Sequence, residues 1–417
     1  MIITDICIIG AGPAGAAAAL QLNRDGIDCV IVDKAIFPRD KVCGDGLSGK
    51  VLTALKRIDP DVAARLEQFA HKADSGGVRF IAPNRRSVDI SGRPPAVTGN
   101  GGGVQKAPIG YVCKRMDFDH FLVRELKNCA HVKFYEGVEV SDYELEEDGY
   151  RLWNKDGFTI KARLLIVANG AHSSFSKEVA GIKMEPAHYM AGLRAYYKNV
   201  QGNHPENFIE LHFLKRLLPG YFWIFPLPGG EANVGVGMPS SVLQKKKINL
   251  KKELLSIIEE DPVIRERFKE ASLEGKVEGY GLPLGSKKRR LSGERYMLTG
   301  DAASLIDPFT GEGIGNAFYS GRIAAQQAVQ ALKTNDFSAK ALLLYDAEIN
   351  RVIGAELRLS ARLQRLVRVP LLFNLLMNIS ARNKKLQELM SGMFYEVDLR
   401  KMLTRPGFYL RLIFNRP

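Results

Sequence analysis

The sequence predicts an α/β domain built on a parallel sheet, a second domain formed by an antiparallel sheet, and a C-terminal helical segment. Three observations predict this. The first 33 residues read as strand, turn, helix, strand, and the later run LLIVANG is nearly all apolar, as a parallel strand covered on both faces should be. Two β-patterned stretches, 76–111 and 189–238, interrupt the α/β pattern. Both domains are therefore discontinuous. Residues 1–75, 112–185 and 290–340 form the first, 76–111 and 186–289 the second, and 341–417 the helical segment.

In chain order, DICIIG is a short apolar strand and GAGPAGAAAALQLNRDG supplies glycines followed by helix-forming alanines. DCVIVD, a second strand, ends at Asp33. Gly10, Gly12 and Gly15 make G-x-G-x-x-G, whose spacing gives a tight turn, close approach of backbone to a pyrophosphate, and packing of helix on strand. Asp33, at the end of the second strand, can accept hydrogen bonds from a ribose. This is a Rossmann-type dinucleotide site, with Gly10, Gly12, Pro13, Ala14, Gly15, Asp33 and Lys34 as its candidate residues. The triplet alone does not separate flavin from nicotinamide.

Residues 76–111 carry four prolines and the glycine-rich GNGGG at 99–103, which reads as an insertion of short strands. RMDFDHFLVRELKNCA is helical, and KFYEGVEV and LLIVANG return to strand. Residues 189–238 read as β, with YFWIFPLPGG near their end, and 245–268 as helix. The segment RYMLTGDAASLIDPFTGEGIGNAFYSGRIAAQQAV then gives strand, loop and long helix, rejoining the first domain.

This second strand-loop-helix decides the cofactor. Asp301 after its strand can hold ribityl hydroxyls, together with Gly300, and the amides around Gly311, Gly313 and Ile314 at the helix start can stabilise negative charge on a reduced isoalloxazine. Paired with the N-terminal signature, it predicts FAD.

The chain has 417 residues and a formal net charge of +13, which favours an anionic partner. No nucleic-acid motif accompanies the basic clusters KKKINLKK and SKKRR, so no nucleic acid is expected. From Arg358 onward twelve Lys or Arg stand against three Asp or Glu, interleaved with apolar residues. That pattern suits either a tail lying on a membrane or a helical pair with a solvated basic face. Its uncharged run, 369–381, is too short to span a bilayer. Five cysteines form no C-x-x-C pair, and the first residues enter a strand with no basic leader, so reduced thiols and a cytoplasmic location are expected, with contact to the membrane's inner face through the basic segment. No metal site is expected.

The motifs GAGPAG, FPRDKVCGDGLS, RMDFDHFL, LLIVANGAHS, YFWIFP and GDAASLIDPFTGEGIGNA resemble those of the geranylgeranyl reductase family of FAD-dependent oxidoreductases, within the para-hydroxybenzoate-hydroxylase-like flavoproteins. The Cys-Gly segment together with Y-x-W-x-F-P narrows the resemblance. It implies that Arg39 and Arg115 lie near the FAD, and that Cys43 and Gly44 pass beside the isoalloxazine. For Cys43 three readings stand: packing, backbone contact with an incidental thiol, or proton donation during reduction. It also implies that Tyr221, Trp223 and Phe225, alternating on one strand face, bind an apolar substrate chain.

The chain departs from the pattern in two places. Pro219 stands two residues before Tyr221 rather than three. Asn169 and Ser176 replace an Asp and an Arg of the related hydroxylases, so the electron donor is either NADPH or a reduced ferredoxin. The implied reaction is saturation of double bonds in a polyprenyl group on a lipid, quinone, pigment or diphosphate. The alternatives are a flavin-dependent monooxygenase or halogenase, and a non-catalytic peripheral lipid-binding protein.

Overall fold

Apolar strands with both faces covered form the centre of the first sheet. In the structure, a computed structural model that describes residues 1–91 and 108–383, Ile2–Ile9 is fully buried over its second half. It pairs in parallel with Cys29–Asp33 on one side and Thr159–Val167 on the other. Val132–Glu136 and Tyr296–Leu298 extend the parallel array at its two ends, and the antiparallel hairpin Asp142–Leu145 and Tyr150–Trp153 adds to Thr159–Val167. Helices Pro13–Arg24 and Ile314–Thr334 cross closely on this sheet. A Cβ on Gly321 would lie 2.1 Å from the Ala14 carbonyl oxygen, so glycine sets their separation.

Among the described residues the second sheet has seven strands, in the order Ser272–Pro283, Tyr189–Lys198, Glu231–Pro239, Tyr221–Pro226, Ile209–His212, Gly77–Ile81 and Ser87–Ser91. It is not wholly antiparallel as expected. Ile209–His212 runs parallel to Gly77–Ile81, because the insertion returns to the sheet more than a hundred residues later in the chain. A three-stranded sheet joins Gly46–Ser48, Gly110–Val112 and Ala73–Ser75, so hydrogen bonds cross the boundary that the sequence suggested near residue 75.

Residues 245–268 are not one helix. Ser240–Lys246 ends where Lys247 turns left-handed (φ +52°), and Asn249 caps Leu250–Glu260 by accepting from Lys252 N at 3.0 Å. Asp261 then caps Pro262–Arg267 through Val263 N and Ile264 N. Two caps thus divide a stretch in which Leu254, Ile257 and Ile264 are buried.

The C-terminal segment is helical where it is described. Ala355–Val367 and Pro370–Arg382 follow Leu343–Ile349, and no described helix is long and apolar enough to cross a membrane. The GNGGG segment and the basic residues from 384 onward lie outside the described residues.

Candidate active site

The parallel strands Ile2–Ile9, Cys29–Asp33, Thr159–Val167 and Tyr296–Leu298 end at one edge, and the loops that follow them enclose a cavity of about 590 Å³. This is where an open α/β sheet binds its ligand. The lining includes Gly10, Gly12, Pro13, Ala14, Asp33, Lys34, Arg39, Cys43, Gly44, Arg115, Gly300, Asp301, Gly311, Gly313 and Ile314. Two sequence signatures about 290 residues apart thus meet on one space.

The three N-terminal glycines do different things. Gly10 has φ +103°, and a Cβ there would lie 2.5 Å from the Ala168 carbonyl oxygen. Above Gly12 the space is open toward the cavity, with Arg39 Nη2 at 3.9 Å from a Cβ position. Gly15 does not line the cavity, and its Cβ would fall 1.8 Å from the Gly10 carbonyl oxygen. Its role is helix packing beneath the turn. Asp33 holds the turn by accepting from Ala11 N at 2.7 Å and Ala35 N at 2.8 Å. Lys34 is exposed at the rim, 3.3 Å from Glu139.

Charged groups ring the middle of the cavity. Arg115, almost wholly buried, makes a two-pronged contact with Asp119 at 2.7 and 2.6 Å. Burial alone would ease proton loss from its guanidinium, but Asp119 and the neighbouring Cys43 thiol outweigh it and hold the proton more firmly than usual. Arg39 Nη1 lies 2.7 Å from Asp119 Oδ2, yet it has no aligned hydrogen bond among the described residues. Arg194, which sequence reasoning missed, pairs with Asp40 at 2.6 Å, and its buried Nε has no partner among the described residues. Buried guanidinium donors aimed along the wall suit the phosphates and carbonyls of FAD. Together with the open face above Gly12, they show that these residues fit that cofactor.

A second, apolar cavity of about 150 Å³ adjoins the first. Tyr221, Trp223 and Phe225 line it along one face of their strand, with Val78, Leu211 and Leu282 from other strands of the same sheet. The two cavities share Cys43, Gly44, Gly192, Trp223, Leu282, Gly311, Gly313 and Ile314. Cys43 therefore stands at their junction.

The loop bearing Cys43 is fixed from beneath by residues the sequence did not single out. Asn233 Nδ2 donates to Cys43 O and to Asp45 Oδ2, both at 2.8 Å, while Asn233 Oδ1 accepts from Trp223 Nε1 at 2.8 Å. Tyr196 OH and Arg115 N also donate to Asp45. Burial pushes the Asp45 carboxyl up to about 6, and the bonds from Asn233 and Tyr196, with Arg194 and Arg115 nearby, restrain it from rising further. The Asp-Gly after Cys43 was a signal, since a left-handed aspartate (φ +64°) needs such support.

The loop 307–313 is braced in turn by the C-terminal helices. Ser360 Oγ donates to Asp307, Gln364 Nε2 donates to Pro308 O at 2.7 Å, and buried Lys50 pairs with Glu356 while lying 3.9 Å from Glu312. Asn169 stands exposed at the cofactor cavity's rim, and Ser176 Oγ donates to Ala302 O at 2.9 Å. Ser176 is thus committed to structure rather than to a ligand.

Residues 3–203 match the FAD binding domain family. The chain is 30% identical to a menaquinone reductase of Mycobacterium tuberculosis over 333 residues, covering 77% of this chain and 76% of that protein. It is 28% identical to a digeranylgeranylglycerophospholipid reductase of Methanocella arvoryzae over 375 residues, covering 87% of each. Among solved structures, a geranylgeranyl bacteriochlorophyll reductase-like protein of Thermoplasma acidophilum superposes with a TM-score of 0.77 at 22% identity, over 97% of this chain and 99% of that one. A flavin-dependent brominase shares the fold at TM-score 0.75 and 20% identity, over 98% of this chain and 99% of its own. The chain belongs to the geranylgeranyl reductase family of FAD-dependent oxidoreductases.

Proposed function

We propose that the protein saturates carbon–carbon double bonds of a polyprenyl chain carried by a lipid or quinone. The observation that carries this is the meeting of an apolar, aromatic-walled cavity with the cofactor cavity at Cys43 and Gly44. Relatives named for menaquinone and for digeranylgeranylglycerophospholipid share most of the chain, which supports an isoprenoid substrate.

Bound in reduced form, FAD supplies the hydride for one carbon of the double bond. Gly10, Gly12, Pro13, Ala14 and Asp33 would hold its diphosphate and ribose, Arg39, Arg115 and Arg194 would meet its anionic and carbonyl groups, and Asp301 with the amides of 311–314 would hold the flavin end. Tyr221, Trp223 and Phe225 keep the prenyl chain in register and exclude water. Cys43 supplies the proton for the second carbon and is reprotonated from solvent, so each double bond takes up one hydride and one proton. Its position is set by Asn233 beneath it and Arg115 beside it. Electrons enter from NADPH or a reduced ferredoxin, and anaerobic bleaching of the flavin by each in turn separates the two.

The test is anaerobic. The yellow protein is photoreduced, mixed with a menaquinone or a geranylgeranylated lipid, and followed by flavin absorbance and mass spectrometry of the lipid. A gain of about two mass units per flavin reoxidised is expected. Flavin that stays reduced with every polyprenyl lipid, and reoxidises only when oxygen is admitted, would support the monooxygenase reading instead.

A further inference from the structure

The helix Pro370–Arg382 is apolar on both of its faces, and among the described residues only one of them is packed. Phe373 and Met377 are buried against the second sheet, where the Phe373 ring lies 4.9 Å from Phe213 and Phe213 lies 5.6 Å from Tyr221 in the apolar cavity. The helix is pinned there by Asn84 N donating to Asn374 Oδ1 at 3.3 Å and Arg86 Nη1 donating to Asn378 Oδ1 at 3.0 Å. On the outer face Leu371, Leu375 and Ile379 form a stripe at every fourth position, exposed by 77%, 54% and 40%, with Leu372 beside it. Such a stripe on an anchored helix needs a covering.

What covers it is indicated by charge. The preceding helix exposes Arg358, Arg362 and Arg365, and Arg368 follows at its end, and none of the four forms an ion pair among the described residues. A second copy bound face to face by a two-fold axis would bring two such arginine rows together. The remaining chain, 384–417, carries seven Lys or Arg against three Asp or Glu, so it too would add positive charge to positive charge. An anionic lipid surface complements both features, taking leucines into its acyl boundary and arginines at its headgroups.

We propose that the outer face of Pro370–Arg382 and the flanking arginines form a docking surface for an anionic bilayer. Two aromatic rings, Phe373 and Phe213, separate this surface from Tyr221 of the apolar cavity. Docking thus sets the cavity beside the membrane that holds a polyprenyl substrate. Delivery of the substrate rests on the function proposed above; binding to the bilayer does not.

The test is flotation of the full-length FAD-loaded protein with vesicles of phosphatidylcholine alone or mixed with phosphatidylglycerol. Wild type is expected to float with the anionic vesicles at low salt. Leu371→Asp with Leu375→Asp should weaken partitioning on the order of a hundredfold, and Arg365→Gln and Arg368→Gln by about fivefold each on anionic vesicles only. Flavin absorbance and sedimentation mass should stay unchanged in all variants. No flotation by wild type overturns the proposal, as does equal flotation of the double-aspartate variant. A drop in sedimentation mass of that variant with undiminished flotation overturns it in favour of a second copy. Turnover is read separately with detergent-dispersed lipid. Loss on vesicles but not in detergent is the signature of delivery, whereas absence of turnover in both for wild type counts against the polyprenyl reading and leaves the flotation result to decide docking.

Discussion

Cys43 and Asp45 sit two residues apart and face opposite demands. In the proposed reaction Cys43 presents a proton to the junction of two cavities, whereas Asp45 stays in full burial to hold the loop. Cys43→Ala is expected to lower turnover on the order of a hundredfold with the flavin spectrum intact, as removal of a general acid does; full turnover with an unaltered pH profile would show that the thiol only packs. Asp45 makes a prediction about stability. Its carboxyl, raised from 3.8 to about 6, keeps its proton more tightly in the folded chain than in the unfolded one. Its stabilising contribution is therefore complete below about pH 4 and declines as pH rises through about 6, by about 3 kcal/mol in all. Asp45→Asn removes that titration. In urea unfolding followed from pH 4 to 7, the stability of wild type relative to the variant should fall with rising pH, and a constant difference would refute the raised carboxyl.

At the scale of elements, the glycine turn separates binding from folding. Gly12 has room for a methyl group on its cavity side, so Gly12→Ala should fold normally and lose FAD affinity, seen as colourless protein with native circular dichroism. Gly15 has no room at all, and Gly15→Ala should unfold or fail to express with or without added FAD. These elements were legible because their signals are local: a glycine triplet, an acid at a strand end, aromatics alternating along Tyr221–Pro226. The supports were not legible. Asp45 meets Tyr196 and Asn233 across 151 and 188 residues, and Lys50 looks like an ordinary basic helix position until Glu356, 306 residues later, buries it. The break of 245–268 into three helices escaped for a different reason, since its caps, Asn249 and Asp261, lie inside an otherwise continuous helical pattern.

The whole molecule is organised around the shared wall of the two cavities. That wall takes Cys43 and Gly44 from the loop after Cys29–Asp33, Gly192, Trp223 and Leu282 from the second sheet, and Gly311, Gly313 and Ile314 from the returning strand-loop-helix. Ser360, Gln364 and Glu356 brace the last of these from the C-terminal helices. A ligand that fills the larger cavity therefore touches three segments already tied to one another, through Asn233 between Cys43 and Trp223 and through Ser48 and Glu312. Saturating FAD, at a hundred times its dissociation constant, adds about 2.7 kcal/mol to the folded state. Its removal should raise hydrogen exchange in 39–46 and 311–316 in concert, and carry the increase into Tyr221–Pro226 through Asn233 and Trp223. Deuterium uptake of the apoprotein against the FAD-loaded protein checks this. An increase confined to residues 10–15 and 33–35 would mean that the cofactor stabilises only its own strand-turn-helix, and that the substrate cavity is shaped before FAD arrives.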